Sequence, residues 1–338
     1  MDVLEYYLHT APSIQTTLDI FKGEWTSKFP SKYGAIESGT VPLFGDNRIA
    51  WSMEQLGGVK GKTVLELGSL EGAHTSMFES WGAASIVAIE AHSRAYLRSL
   101  IVKEVLGLQR ARFLYGDCIE YLTNNPEPVD ICCASGLLYH MTNPVKLLWL
   151  ISRICNGVAI WTHYYDRNII NRNPALKERF PSSEEVEYEG FKHTLYRQNY
   201  ASELQSEKFI GGQQRYTQWM SRQAILDCLE YLGFGDIKIN FEIPEHPHGP
   251  SFSLTAVKKK NRVTPTRPSL QSGENNGRAV MATEMPKPSQ RQAQTRIDEL
   301  TEQLQQTKDR VRAMESSKFW KLRAQWFKVK SLLGLPTD

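Results

Sequence analysis

The chain of 338 residues has a formal net charge of +3, and 41% of its residues are hydrophobic, too many for an intrinsically disordered chain and enough for the core of one or two domains. The charge is uneven, because residues 258–338 contain 17 Lys and Arg against eight Asp and Glu, whereas the rest contain 23 against 29. The acidic main body argues against a nucleic-acid substrate, and the basic C-terminal segment predicts an anionic partner.

The cysteines and the first ten residues favour a cytoplasmic location. The cysteines show neither paired nor metal-ligand spacing, so reduced thiols are expected, and no metal site is predicted. The first ten residues lack the basic start and the apolar stretch of a secretory signal. No run of about 18 apolar residues occurs, which excludes a membrane-spanning helix. The cysteines are Cys118, Cys132, Cys133, Cys155 and Cys228.

Residues 1–60 precede the first strong strand pattern. Helical spacing at 13–25 and at 48–56 flanks a loop that contains glycine and proline. We predict a helical N-terminal segment that packs over the body as a lid; a solvated lead-in is the alternative. The aromatic residues that favour packing are Phe21, Trp25, Phe29, Tyr33, Phe44 and Trp51.

Strand and helix patterns alternate through residues 61–260. A helix at 221–232 and two strands after it complete the domain, whereas residues 164–219 lose the rhythm and predict one further strand, at 192–196. The alternation predicts an α/β, Rossmann-like, doubly wound sheet of seven strands, mostly parallel. The seven strands are predicted at 63–67, 85–89, 111–114, 130–134, 157–162, 235–241 and 251–258.

Acidic residues and glycines mark the ends of the first four strands, where ligands bind in such sheets. Glu90 lies 22 residues after Gly68, the separation that places a carboxylate on ribose hydroxyls. Asp117, farther along the same edge, is placed to accept a hydrogen bond from an adenine amino group. The strand ends are Glu66 with Gly68, Glu90, Gly116 with Asp117, and Ser135 with Gly136.

A dinucleotide site is disfavoured. The G-x-G-x-x-G fingerprint requires glycine where this chain has Leu70 and Ala73. Leu70 is bulky at the point where the backbone approaches a pyrophosphate. A nucleoside ligand without phosphates suits this site better.

The segment ELGSLEG at residues 66–72 resembles the E/D-x-G-x-G-x-G signature of class I S-adenosylmethionine-dependent methyltransferases, with Leu70 replacing the middle glycine. The resemblance covers about residues 61–258 and includes that family's final antiparallel hairpin. It implies S-adenosylmethionine as cofactor, and it assigns roles to the strand-end residues. The implied contacts are Glu66, Gly68, Ser69 and Gly72 with the methionine part, Glu90 with the ribose, and Asp117 and Cys118 with the adenine, with Ser135 beside them.

Residues 134–151, ASGLLYHMTNPVKLLWLI, resemble the tRNA wobble-uridine carboxymethyltransferase group and its relatives through a G-x-L-Y-H-x-x-x-P core. In that group, a lysine before the first strand contacts the extra carboxylate of a modified cofactor. Residues 46–56 of this chain contain no lysine, which favours plain methyl transfer and disfavours a tRNA substrate.

A hydroxyl acceptor benefits from a general base, and histidines follow the fourth and fifth strands. His140, with Tyr139 beside it, is the candidate catalytic residue; a structural hydrogen bond is an equal alternative for His140 and the favoured role for His163. The aromatic residues predicted to line the acceptor pocket are Tyr139, Trp161, Tyr164 and Tyr165.

Three segments follow the domain. Residues 261–293 have the composition of a flexible linker, and residues 294–315 carry a short heptad pattern at 297–314 that predicts self-association or a docked helix. Residues 316–338 predict a basic, aromatic amphipathic helix. Its residues 316–335 suit binding either to the inner face of a membrane or to a protein partner.

The resulting prediction is a methyltransferase that acts on a hydroxyl of a small molecule or a glycan. A tRNA-modifying enzyme is one alternative. A non-catalytic scaffold that works through its C-terminal tail is another.

Overall fold

The computed structural model describes residues 7–124, 126–200, 204 and 211–259. The strands are β1 (Thr63–Leu67), β2 (Ser85–Glu90), β3 (Ala111–Tyr115), β4 (Val129–Ser135), β5 (Cys155–His163), β6 (Ser182–Tyr188), β7 (Phe191–Asn199), β8 (Tyr216–Trp219), β9 (Phe234–Ile243) and β10 (Ser251–Lys258). The helices are α1 (Ile14–Leu18), α2 (Asn47–Gln55), α3 (Ala73–Ser80), α4 (Ser93–Leu106), α5 (Cys118–Thr123), α6 (Pro144–Ile154), α7 (Arg167–Arg172), α8 (Pro174–Arg179) and α9 (Arg222–Tyr231).

Seven strands form the main sheet, in the order β3-β2-β1-β4-β5-β10-β9. Strands β1 to β5 are parallel, and β10 runs antiparallel to both of its neighbours. This arrangement confirms the predicted Rossmann-like sheet with an antiparallel hairpin at its end. The strand order reverses between β1 and β4, so the crevice beyond their carboxyl ends is the expected ligand position.

Strand β1 is buried on both faces of the sheet. Leu65 and Leu67 pack in the hydrophobic cluster on one face, whereas Val64 packs with Met77 and Phe78 of α3 on the other. Because successive side chains of a strand alternate, Glu66 shares the face of Val64 and lies on the side of α3. The apolar run was detectable because a parallel strand needs apolar residues on both faces.

A second sheet, in the order β6-β7-β8, was not predicted apart from the strand at 192–196, which lies within β7. Strand β6 has the sequence SSEEVEY, and its side chains are mostly exposed. Only Val186 and Tyr188 of this strand pack against the core, so it carries too few apolar residues for a strand pattern. Charges on an edge strand also oppose its pairing with another chain.

The N-terminal segment is less helical than its spacing indicates. Helix α1 ends at Leu18, a 3-10 turn follows, and Trp25 Nε1 donates a hydrogen bond to the Leu18 carbonyl oxygen at 2.8 Å. Its apolar side chains, including Phe21, pack with Val102 of α4. The role of this segment as a lid stays a prediction.

All five cysteines are buried free thiols. None of the helices in the described part of the chain has the length and hydrophobicity needed to cross a bilayer. The linker, the coiled coil and the amphipathic helix predicted after residue 260 lie outside the described residues.

Candidate active site

The turn between β1 and α3 keeps the backbone path of a glycine-rich loop although it carries a leucine. Gly68, Leu70 and Gly72 have φ values of +75°, +51° and +75°. Leu70 therefore occupies the left-handed conformation that glycine adopts without strain, at a cost of about 1–2 kcal/mol. At Gly72 a Cβ would lie 2.8 Å from Cζ of Phe113, so this position has no room for a side chain.

Glu66 presents a buried carboxylate at the end of β1. Its Oε2 accepts a short hydrogen bond from Thr75 Oγ1, whereas Oε1 is buried and has no hydrogen-bond partner among the described residues. Burial raises the pKa of Glu66 to about 7, against the opposing effects of His74 and Thr75. Ser69 Oγ in the adjacent turn is likewise buried without a described partner. These two atoms can receive a polar ligand.

His74, which no sequence motif singles out, lies between two carboxylates. Its Nε2 is 3.1 Å from Asp46 Oδ2, and its Nδ1 is 3.7 Å from Glu66 Oε1. Asp46 caps α2 and binds the Arg48 guanidinium, with Arg48 Nη2 2.6 Å from Oδ2. Burial raises the pKa of Asp46, but hydrogen bonds from His74 and Arg48 outweigh it and hold the pKa well below its usual value. Two sequence features indicate these residues. Asp46 stands at the N-cap position before the helical spacing at 48–56, and His74 comes just after the glycine turn.

Glu90 ends β2 and holds the turn in place. Its Oε2 accepts from the Leu70 backbone N–H and its Oε1 from the His92 N–H, both at 2.8 Å. Burial raises its pKa, and these hydrogen bonds oppose the shift. Each carboxylate oxygen keeps a second lone pair, so Glu90 can still accept from a vicinal diol.

The residues predicted around the adenine lie on the same sheet edge. The Gly116 N–H donates to the Glu90 carbonyl oxygen at 3.0 Å and so joins the ends of β2 and β3. Both carboxylate oxygens of Asp117 are engaged, one in capping α5 and the other with Gln213 Nε2 at 2.6 Å. Burial raises the pKa of the Cys118 thiol to about 12, so it is uncharged at neutral pH. Contact of Asp117 with an adenine amino group, which stays a prediction, requires Gln213 to move or share the carboxylate.

Ser135 ends β4 on the other side of β1, where it pairs with Trp161 of β5. A cluster of aromatic side chains, called the aromatic pocket below, follows these two strand ends. The Tyr139 ring lies 5.8 Å from that of Trp161 and 4.6 Å from that of His163, edge to face in both cases. His246 also contacts the rings of Trp161 and His163.

His140 borders this pocket as a neutral base candidate. Its Nδ1 lies 2.6 Å from Tyr200 Oη. Although part of the residue reaches the surface, the protein around the ring lowers its pKa to about 3, with a smaller effect from His163. Burial raises the pKa of Tyr139, which keeps its phenol protonated.

His163 has a structural hydrogen bond. Its Nδ1 is 2.7 Å from the Gly249 carbonyl oxygen, and a carbonyl only accepts, so this nitrogen carries the proton. The ring stacks on Trp219 with a centroid distance of 5.3 Å, and burial lowers its pKa to about 4.

Two of the predicted pocket residues lie elsewhere. Tyr164 packs on Phe252 in the core, and its hydroxyl bonds to Glu242. Tyr165 stacks on Tyr196 of the second sheet. Both rings directly follow β5, as the pocket prediction requires, but their contacts are with the core and with the second sheet.

No protein-family model matches the chain, and no curated protein matches it. Among solved structures, the N-terminal domain of EvdMO1, crystallised with S-adenosylhomocysteine (SAH) and D-fucose, is 22% identical, with a TM-score of 0.56 over 73% of this chain and 96% of that domain. The chain has a Rossmann-like methyltransferase fold. The same domain with SAH alone is 21% identical, with the same coverage and TM-score. The magnesium protoporphyrin IX methyltransferase of Synechocystis PCC 6803, with bound SAH, is 13% identical, with a TM-score of 0.43 over 62% of this chain and 80% of that chain.

Within this methyltransferase fold, Arg48 joins the two halves of the site. Its guanidinium lies over the Trp161 ring at 4.5 Å from the centroid while it binds Asp46. A continuous set of contacts therefore runs from the aromatic pocket through Arg48, Asp46 and His74 to Glu66.

Proposed function

We propose that the chain is an S-adenosylmethionine-dependent methyltransferase that methylates a hydroxyl group of a small molecule or sugar. The main support is a pair of buried glutamates, Glu66 and Glu90, at neighbouring strand ends. They lie beside a turn in which buried polar atoms have no hydrogen-bond partner among the described residues. The SAH found with the EvdMO1 domain supports the assignment of the cofactor.

The residues present fit this cofactor. Glu66 Oε1 would accept from the ammonium of the methionine part, and Ser69 Oγ would donate to its carboxylate. Glu90 would accept from the ribose hydroxyls with its remaining lone pairs. When bound, S-adenosylmethionine would supply an electrophilic methyl group on a sulfonium, which the aromatic rings would stabilise by cation–π interaction.

The aromatic pocket suits a sugar acceptor, because rings such as Trp161 can pack on the C–H face of a sugar. The D-fucose present with the EvdMO1 domain supports this substrate class. His140 takes the proton of the acceptor hydroxyl at Nε2, with Nδ1–H donating to Tyr200. The opposite tautomer, in which Tyr200 donates to Nδ1, leaves no lone pair at Nε2 and is inactive.

Calorimetry with SAH, followed by methyl-transfer assays monitored by mass spectrometry, tests the proposal. We expect SAH to bind and a deoxysugar or its conjugates to gain the mass of one CH₂. Methylation of tRNA instead would support the tRNA-modifying alternative. Failure to bind SAH would support the scaffold alternative.

We expect Glu90→Ala to weaken SAH binding by about 1–3 kcal/mol, the range for hydrogen bonds to a charged acceptor. Because Glu90 also holds the Leu70 and His92 N–H groups, a loss of thermal stability should accompany the change. Glu90→Gln, which keeps one acceptor oxygen, should lose less affinity. The matched control is Glu185→Ala on the exposed strand β6. Equal SAH affinity in all three variants would remove Glu90 from the cofactor site.

A further inference from the structure

We propose that His74, fixed by Asp46, is a positioning residue that keeps the Glu66 carboxylate ionised and oriented toward the cofactor's ammonium group. The inference rests on the proposed function and adds a residue pair to it. Within the part of the chain that the structure describes, His74 carries the only basic nitrogen within 4.0 Å of a Glu66 carboxylate oxygen.

The geometry restricts where the protons of His74 lie. Asp46 is ionised and only accepts, so His74 Nε2 must donate to it across 3.1 Å. His74 Nδ1 then faces Glu66 Oε1 at 3.7 Å either as a lone pair or as an N–H. At 3.7 Å the contact is too long for a hydrogen bond, so His74 acts on the Glu66 carboxylate through charge. Asp46 sets the orientation in which the His74 ring faces Glu66.

The other groups around Glu66 do not provide this function. Glu90 repels a negative charge on Glu66, and burial opposes that charge more strongly still. Burial raises the pKa of the Cys133 thiol well above its ordinary value, so it stays uncharged. Arg48 is paired with Asp46. The charged and titratable groups around Glu66 are His74 on α3, Asp46 and Arg48 at the start of α2, Glu90 on β2 and Cys133 on β4.

The sign of the pH dependence follows. Glu66 binds an ammonium only when ionised, and His74 lowers the pKa that burial raises to about 7. SAH affinity of the native protein should therefore fall as pH drops below 7, by about tenfold per pH unit at the limit. Removal of the imidazole raises the Glu66 pKa further, so this fall moves to higher pH.

The test measures SAH dissociation constants by calorimetry at pH 6, 7 and 8 for the native protein and for His74→Gln, which retains a side-chain N–H for Asp46. We expect the variant to bind about tenfold more weakly at pH 6, with the gap narrowing to about twofold at pH 8, because the Glu66 pKa rises when the imidazole is lost. A merely structural role would give the same gap at every pH. The matched control is His193→Gln, a buried histidine in the second sheet, which should follow the native curve.

Two results would overturn the inference. One is a pH-independent gap between His74→Gln and the native protein. The other is an SAH affinity of the native protein that does not change from pH 6 to 8. This second result overturns the inference even if the variant does not fold. If the native protein binds SAH but either of these results is found, the inference fails and the proposed function stands. If the native protein does not bind SAH, both the inference and the proposed function fail.

Discussion

Glu71→Ala is expected to lower the free energy of unfolding by about 3–5 kcal/mol, because it breaks a buried ion pair and removes the acceptor of two backbone N–H groups, while Arg98 keeps Glu24 as its second partner. Arg98 Nε lies 3.1 Å from Glu71 Oε1, and the two side chains are 4% and 0% exposed. The N–H of Arg98 Nε does not point at this oxygen, so the contact is ionic without a hydrogen bond. The same carboxylate accepts from the Thr26 and Ser27 backbone N–H groups, each at 2.8 Å.

Urea unfolding followed by circular dichroism measures this change. The control is Glu37→Ala, whose ion pair with Lys22 at 3.8 Å joins side chains that are 82% and 70% exposed, and it should leave the midpoint unchanged. Glu71→Gln should fall between the two, since it keeps an acceptor for one N–H group but not the charge. If Glu71→Ala unfolds at the same urea concentration as Glu37→Ala, the buried pair does not hold the N-terminal segment.

His140→Ala is expected to lower turnover by about a hundredfold or more without weakening SAH binding, as removal of a general base does. Burial lowers the pKa of the imidazole to about 3 and keeps it neutral, so its lone pair is free at neutral pH, although a base of such low pKa takes up a proton only weakly. For the same reason, turnover at saturating substrate should show no loss from His140 titration between pH 5 and 7. The measurement is single-turnover methyl transfer, with SAH affinity determined in parallel.

Two further variants sharpen the result for His140. Tyr200→Phe removes the hydroxyl 2.6 Å from Nδ1 and should lower turnover by a smaller factor, because the His140 ring remains but loses the group that accepts its Nδ1 proton. His248→Ala, at an exposed histidine of the loop after β9, is the control and should retain native turnover. A loss of less than about tenfold in His140→Ala would mean that positioning alone accounts for the rate.

The sequence predicted the main sheet because each parallel strand needs an unbroken apolar run. Val64, Leu65 and Leu67 show this for β1, since they reach both hydrophobic clusters. The acidic residue at the end of β2 was also predictable, because the spacing from Gly68 to Glu90 is set by one helix and one strand. The left-handed backbone of Leu70 was not, because nothing in a leucine marks a positive φ.

The remainder of the site depends on contacts between distant parts of the chain. Asp46 and His74 are 28 residues apart, and their pairing arises only when the 3-10 turn before α2 packs against α3. Asp117 was predicted from its strand end, but its engagement by Gln213 depends on a residue 96 positions later. Local patterns predict where a strand ends, whereas they do not predict which side chain arrives there from elsewhere.

The anchoring of the N-terminal segment also sets an order of events during synthesis. Thr26 emerges from the ribosome 45 residues before Glu71, and Glu24 emerges 74 residues before Arg98. At roughly 5–20 residues per second, the aromatic side chains of this segment wait several seconds without their partners. Residues 24–26 are therefore made well before they can be ordered, and nascent-chain chaperones have this interval in which to bind them.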